Sequence, residues 1–137
     1  AYDPRNDVAV LRVSGLGAPG LRIAPDPAAG ASGAILGFPE NGPYDVRAAR
    51  IGATSVVRSQ DSYGRGPISR SMTSIRGLVR SGNSGGPVVG EDGTVLTTVF
   101  AATVGGRVRG GYGVPNAIVR RTLAGARGEV DTGPCAR

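Results

Sequence analysis

The sequence predicts an all-β protein: an antiparallel barrel of six or seven short strands, closed off by one C-terminal helix. Three observations predict it. Apolar residues fall in short runs, with polar and apolar side chains alternating across residues 44–57 and 68–77, the period of a half-buried strand. Gly (24) and Pro (10) make up about a quarter of the 137 residues and punctuate those runs. Only one late segment, residues 117–123, carries helix start and stop signals. Closing such a sheet into a barrel removes the exposed strand edges that would otherwise recruit other chains.

The elements follow in order. Residues 7–13 (DVAVLRV) carry Val8, Val10 and Leu11 and predict a strand. Residues 14–33 are rich in Gly, Ala and Pro and predict a connection. Residues 34–38 (AILGF) predict a compact strand ended by Pro39-Glu40-Asn41-Gly42, a turn signal. Residues 44–57 predict a long, bent strand, and 68–77 another after a turn at 64–67. Residues 87–89 and 94–103 predict a pair joined by the Gly90-Glu91-Asp92-Gly93 turn, and 111–114 a last short strand. Asn116 is placed to cap the helix, Gly125 to end it, and Arg120 and Arg121 to complement its dipole. The expected division is 1–33 as the end of one barrel and a connection, 34–125 as a second barrel with its helix, and 126–137 as a tail.

Length and charge bound the function. The chain has the size of one domain. Its net charge of +6 comes entirely from arginine, with no lysine and no histidine. With heavy use of Ala, Gly, Val and Pro, this reads as the codon bias of a GC-rich genome. The arginines run from Arg5 to Arg137 without clustering and without aromatic residues between them, so no nucleic-acid partner is expected. No run approaches the roughly 18 apolar residues of a membrane span. The chain opens on AYDPRNDVAVLRV, already strand-like, and reads as a piece of a longer polypeptide.

Residues 80–89, RSGNSGGPVV, carry the chemistry. A serine nucleophile needs an exposed hydroxyl on a tight loop, two backbone N–H groups converging on the nascent oxyanion, and small neighbours that admit the substrate backbone. Gly82-Asn83-Ser84-Gly85-Gly86-Pro87 offers all three, with Gly82 free to turn its N–H inward beside that of Ser84.

This loop, followed by a strand, a Gly turn and another strand, resembles the nucleophile loop of trypsin-like (chymotrypsin-fold) serine proteases, in the bacterial form seen in the HtrA group. Residues 6–11 (NDVAVL) are similar to the family's aspartate-bearing segment, and residues 111–115 (GYGVP) to its last strand before the terminal helix. The resemblance runs from Asp7 to about Leu123. It implies a fold of two β-barrels with the active site between them, the second complete here and the first present only by its end. It implies Ser84 as nucleophile, Asp7 (rather than Asp3) as the carboxylate that orients a histidine, and the Gly82 and Ser84 N–H groups as the oxyanion hole. Family spacing puts the base of the specificity pocket at Leu78 and a wall at Phe100, Ala101 and Ala102. No acid stands at that base, so a small or medium apolar residue before the cut is expected. Asn83 stands where animal digestive members have Asp, so activation by a new N-terminus pairing there is not expected. The family implies a protein or peptide substrate and neither cofactor nor metal.

One departure matters. The constellation needs a base poised near the working pH, and a carboxylate is a poor match. The sequence has no histidine and no lysine. The expected base lies on an upstream segment of the same polypeptide, and this chain alone is expected to be inactive. That segment also gives the lone Cys135 a candidate disulfide partner, the alternative being a free thiol. A disulfide points to an oxidising compartment. Composition, serine loop and terminal cysteine are together similar to the membrane-anchored, acid-resistance type of these proteases in mycobacteria, which implies a periplasmic domain on a membrane-anchored parent. Two other readings stay open: a pseudoprotease that binds peptides without any base, and a basic interaction domain that binds acidic polymers.

Overall fold

The computed structural model describes residues 1–104 and 109–133, so Cys135 lies outside the described residues. A two-stranded ribbon, β1 (Tyr2–Asp3) and β2 (Val8–Ala9), precedes a long connection. Then come β3 (Ser32–Gly37), a 3₁₀ turn (Pro39–Asn41), β4 (Asp45–Ser59), β5 (Ile68–Gly77), β6 (Pro87–Gly90), β7 (Val95–Ala102), β8 (Gly110–Val114) and the helix α1 (Asn116–Ala124). Strands β3 to β8 close into an antiparallel barrel in the order β3-β4-β5-β8-β7-β6. Among the described residues, no helix is long and apolar enough to cross a membrane.

The barrel forms because its strands alternate. Ile35, Ile51, Ile75, Val79, Val88, Leu96 and Val99 point inward and pack into one buried cluster. Their β-branched side chains suit a pleated, closely packed surface. A register shift between Ile51 and Thr54 bends the long β4 around the barrel, the role of a bulge in a closing sheet.

A second, smaller cluster lies outside the barrel. Val8 packs with Val114 and Ile118, and Phe100 and Val119 close over them. This cluster clips the N-terminal ribbon to the end of β8, to β7 and to α1. It therefore fixes where Asp7 sits.

Three expectations change. The strand expected over residues 7–13 shortens to Val8–Ala9, and Leu11 and Val13 stand 82% and 61% exposed. Period-2 apolarity specifies a strand only where a neighbour offers hydrogen bonds and cover, and among the described residues nothing covers this stretch. Asn116 does not cap α1. Its side chain is fully buried and turns back to donate through Nδ2 to the carbonyls of Ala24 (3.1 Å) and Val95 (2.8 Å). Asp26, distant in sequence, caps instead, its Oδ1 accepting from the Ala117 N–H at 3.1 Å. Gly125 ends the helix as expected, its N–H donating to Arg121 O. Arg120 reaches the Ala24 carbonyl rather than the helix end, which Arg121 serves.

Candidate active site

Ser84 is exposed on the loop that links β5 to β6. The loop folds locally because of Asn83 and Gly82. The Asn83 N–H donates to Arg80 O at 3.0 Å, closing a turn over residues 80–83. Such a turn with positive φ at its third residue favours glycine, and Gly82 has φ +87°. Asn83 is itself buried, and its Oδ1 accepts the Arg80 N–H at 2.8 Å, so one side chain satisfies the turn from inside. Beyond the serine, the Gly85 N–H donates to Val99 O (2.8 Å) and the Val99 N–H to Gly86 O (2.8 Å), which stitches the loop to β7.

The orientation of one peptide decides what the loop can do. The Ser81 carbonyl accepts a hydrogen bond from the Glu40 N–H at 2.8 Å. A trans peptide is planar, with its C=O and N–H pointing opposite ways. The Gly82 N–H therefore points away from the 3₁₀ turn, toward the open side of the loop. Among the described residues neither the Gly82 N–H nor the Ser84 N–H meets an acceptor. Two free donors flanking an exposed hydroxyl are what an oxyanion-stabilising site requires.

The Ser84 hydroxyl donates to the Phe100 carbonyl at 3.1 Å. Phe100 is the hub of the site. Its ring leans on the Val8 cluster and carries the Arg70 guanidinium 4.1 Å above its centroid. Asp7 immediately precedes Val8, whose packing against Phe100 ties this segment to the site. Asp7 is exposed with φ +57°, and among the described residues no hydrogen bond engages its carboxylate. Asp3 is occupied: its two oxygens accept from the Asn6 N–H (3.1 Å) and Asn6 Nδ2 (2.7 Å). Asp7 and Asp3 thus differ in that only the Asp3 carboxylate is engaged by hydrogen bonds among the described residues.

Sequence reasoning missed Arg70. It is 5% exposed and donates to Ser59 Oγ (2.9 Å) and to Arg5 O (3.4 Å). Burial pushes its guanidinium below the ordinary arginine value, and the charges of Asp7 and Asp61 oppose that shift. An arginine in an alternating strand reads as outward and solvated, and only the N-terminal ribbon folding over it makes it buried.

Of the residues expected to form a specificity pocket, Phe100 lines a cavity of about 250 Å³, together with Val57, Arg58, Ser59, Met72 and Tyr112. Leu78, Ala101 and Ala102 are half-buried and do not line it, and Ala102 packs on the barrel core.

Comparison with known proteins adds to this geometry. A family model for the trypsin-like peptidase domain matches residues 1–96. The chain belongs to the trypsin-like peptidase family. It is 37% identical, over 98% of its length, to serine protease Rv3671c of Mycobacterium tuberculosis, of which it covers 35%. The chain thus spans about a third of the length of that relative. The crystal structure of the active form of that protease superposes with a TM-score of 0.87 at 37% identity, over all of this chain and 62% of that one. An inactive form of the same protease gives 0.78 over 93% of this chain and 65% of that one. An HtrA-type protease, AlgW with a decapeptide, shares the fold, with a TM-score of 0.72 at 21% identity, over 89% of this chain and 37% of that one. The barrel and its terminal helix are therefore those of a chymotrypsin-like fold.

Proposed function

We propose that this chain carries the nucleophile, the oxyanion donors and the orienting carboxylate of a serine endopeptidase whose histidine lies on another segment of the same polypeptide. The observation that carries the reading is the pair of acceptor-free N–H groups, Gly82 and Ser84, beside an exposed Ser84 hydroxyl.

The chemistry follows from these atoms. Ser84 Oγ attacks the scissile carbonyl as the histidine takes its proton. The Gly82 and Ser84 N–H groups receive the oxygen that becomes negative, an interaction strongest in the transition state. Asp7 holds the imidazole in the tautomer that accepts that proton and stabilises the imidazolium. Collapse releases the amine, which takes the proton from the imidazolium, and leaves an acyl group on Ser84 for water to remove. Without the ring, the hydroxyl has only the Phe100 carbonyl to donate to, and a carbonyl oxygen is not a base. The chain by itself is inactive on this reading.

The same reading takes protein or peptide substrates with a small or medium apolar residue before the cut. It places the enzyme in an extracytoplasmic compartment, periplasmic on a membrane-anchored parent, with Cys135 bonded to the histidine-bearing segment. Intact mass with and without reductant checks that bond. The reading itself is tested with a fluorophosphonate that labels activated serines. The histidine-bearing polypeptide is expected to label at Ser84, its Ser84→Ala variant not at all, and residues 1–137 alone at background rate. Equal labelling of residues 1–137 alone would overturn it.

A further inference from the structure

We propose that Arg80 is a positioning residue of this site, its ion pairs clamping the 3₁₀ turn against the nucleophile loop so that the Ser81–Gly82 peptide presents its N–H to the oxyanion. This rests on the reading of Ser84 as nucleophile and adds to it a group that touches no substrate.

Three connections meet at Arg80. Its backbone belongs to the serine loop, donating to Asn83 Oδ1 (2.8 Å) and accepting from the Asn83 N–H (3.0 Å). Its guanidinium leaves the loop, pairing through Nη2 with Asp45 at the start of β4 and through Nη1 with Glu40 of the 3₁₀ turn at 3.5 Å. Arg47 shares the same Asp45 oxygen, Nε to Oδ2 at 2.9 Å, and helps to hold the carboxylate in place. Arg80 Nε is buried with no acceptor among the described residues, so the two Nη contacts alone fix the guanidinium.

Glu40 is the lever. Its side chain is paired by Arg80, while its backbone N–H holds the Ser81 carbonyl. If the turn drifts outward, the Ser81 carbonyl loses its donor, and the peptide is free to rotate and take the Gly82 N–H out of the site. The turn has reason to drift: Glu40 and Asn41 sit at φ +59° and +56°, where side-chain-bearing residues are strained. A surface ion pair contributes little to overall stability. Its effect here is local, because a shift of a few tenths of an ångström at a donor is felt in the transition state.

The test uses the histidine-bearing polypeptide with Arg80→Met, Arg80→Lys and Glu40→Gln. Arg80→Met removes the charge and keeps the bulk. It is expected to lower kcat about 10- to 100-fold, approaching the loss of one oxyanion donor, with KM within about twofold. Arg80→Lys, which keeps the charge but ends one atom short of the two Nη groups, is expected to restore part of that rate. Glu40→Gln, which keeps the backbone N–H and breaks one pair, is expected to fall between and covers the case in which Arg80→Met does not fold. Amide exchange provides a readout independent of turnover. The Glu40 amide should exchange at least about tenfold faster in Arg80→Met while the Val99 amide stays protected. Unchanged kcat, or unchanged Glu40 protection, overturns the proposal. If the parent protein hydrolyses nothing, the reading of the reaction fails, and the exchange measurement still decides whether Arg80 holds the turn.

Discussion

Adding a methyl group at Gly82 tests how the oxyanion peptide is held. A Cβ at Gly82 would lie 3.0 Å from Glu40 N, 3.2 Å from Phe38 O and 3.3 Å from Pro39 Cα. All three are backbone atoms, so no side chain can rotate away. The methyl group also sits at φ +87°, which costs a residue with a Cβ about 1–2 kcal/mol. Parting the two segments adds the cost of overpacking, about 1–3 kcal/mol. Gly85 provides the control, with φ +82° and nothing within 4 Å of its Cβ position. Gly85→Ala is therefore expected to cost only the backbone term, about 1–2 kcal/mol, and Gly82→Ala about 2–5 kcal/mol. Because the clash pushes apart the Glu40 N–H and the Ser81 carbonyl, Gly82→Ala should also lose about 10²- to 10³-fold in kcat, the effect of removing one oxyanion donor. Urea denaturation gives the stabilities, and steady-state kinetics of the histidine-bearing polypeptide gives the rates. If the two substitutions prove equally mild in both, the packing of the 3₁₀ turn against Gly82 does not hold the site, and the reasoning fails.

Two further outcomes can be measured. Asn116→Ala removes two buried hydrogen bonds, but the Val95 carbonyl keeps the Ala24 N–H and the Ala24 carbonyl keeps Arg120, so neither is orphaned. The loss should be about 1–3 kcal/mol by urea denaturation, with α1 intact by circular dichroism because Asp26 caps it. For Asp45, the Arg47 hydrogen bond and the charges of Arg47 and Arg80 hold the carboxyl below its ordinary value against partial desolvation. A carboxyl depressed by folding contributes stability above its unfolded pKa of about 3.9 and loses it as pH falls through the folded value. The urea midpoint of Asp45→Asn should therefore lie below that of the parent near neutrality, and the gap should close only below about pH 4. A gap constant down to pH 2 would show that the ion pairs contribute nothing.

The sequence by itself determined the architecture and singled out the loop proposed to carry the nucleophile. Strands β3 to β8 were legible because alternation and turn chemistry are local properties, and residues 68–77 were delimited as the structure has them. The turn that exposes Ser84, with Gly82 at positive φ, was legible because such a loop is built from neighbouring residues. What depended on distant segments was not legible. Apolar alternation over residues 7–13 could not reveal that Leu11 and Val13 have no cover. Nothing near Asn116 shows that Asp26, ninety residues earlier, takes over its cap. Nor does Arg70, in an alternating strand, show that the ribbon will bury it over Phe100. Only the tertiary structure decided which way the Ser81–Gly82 peptide faces, because its orientation depends on a hydrogen bond from Glu40, and closing the barrel is what brings that residue beside the serine loop.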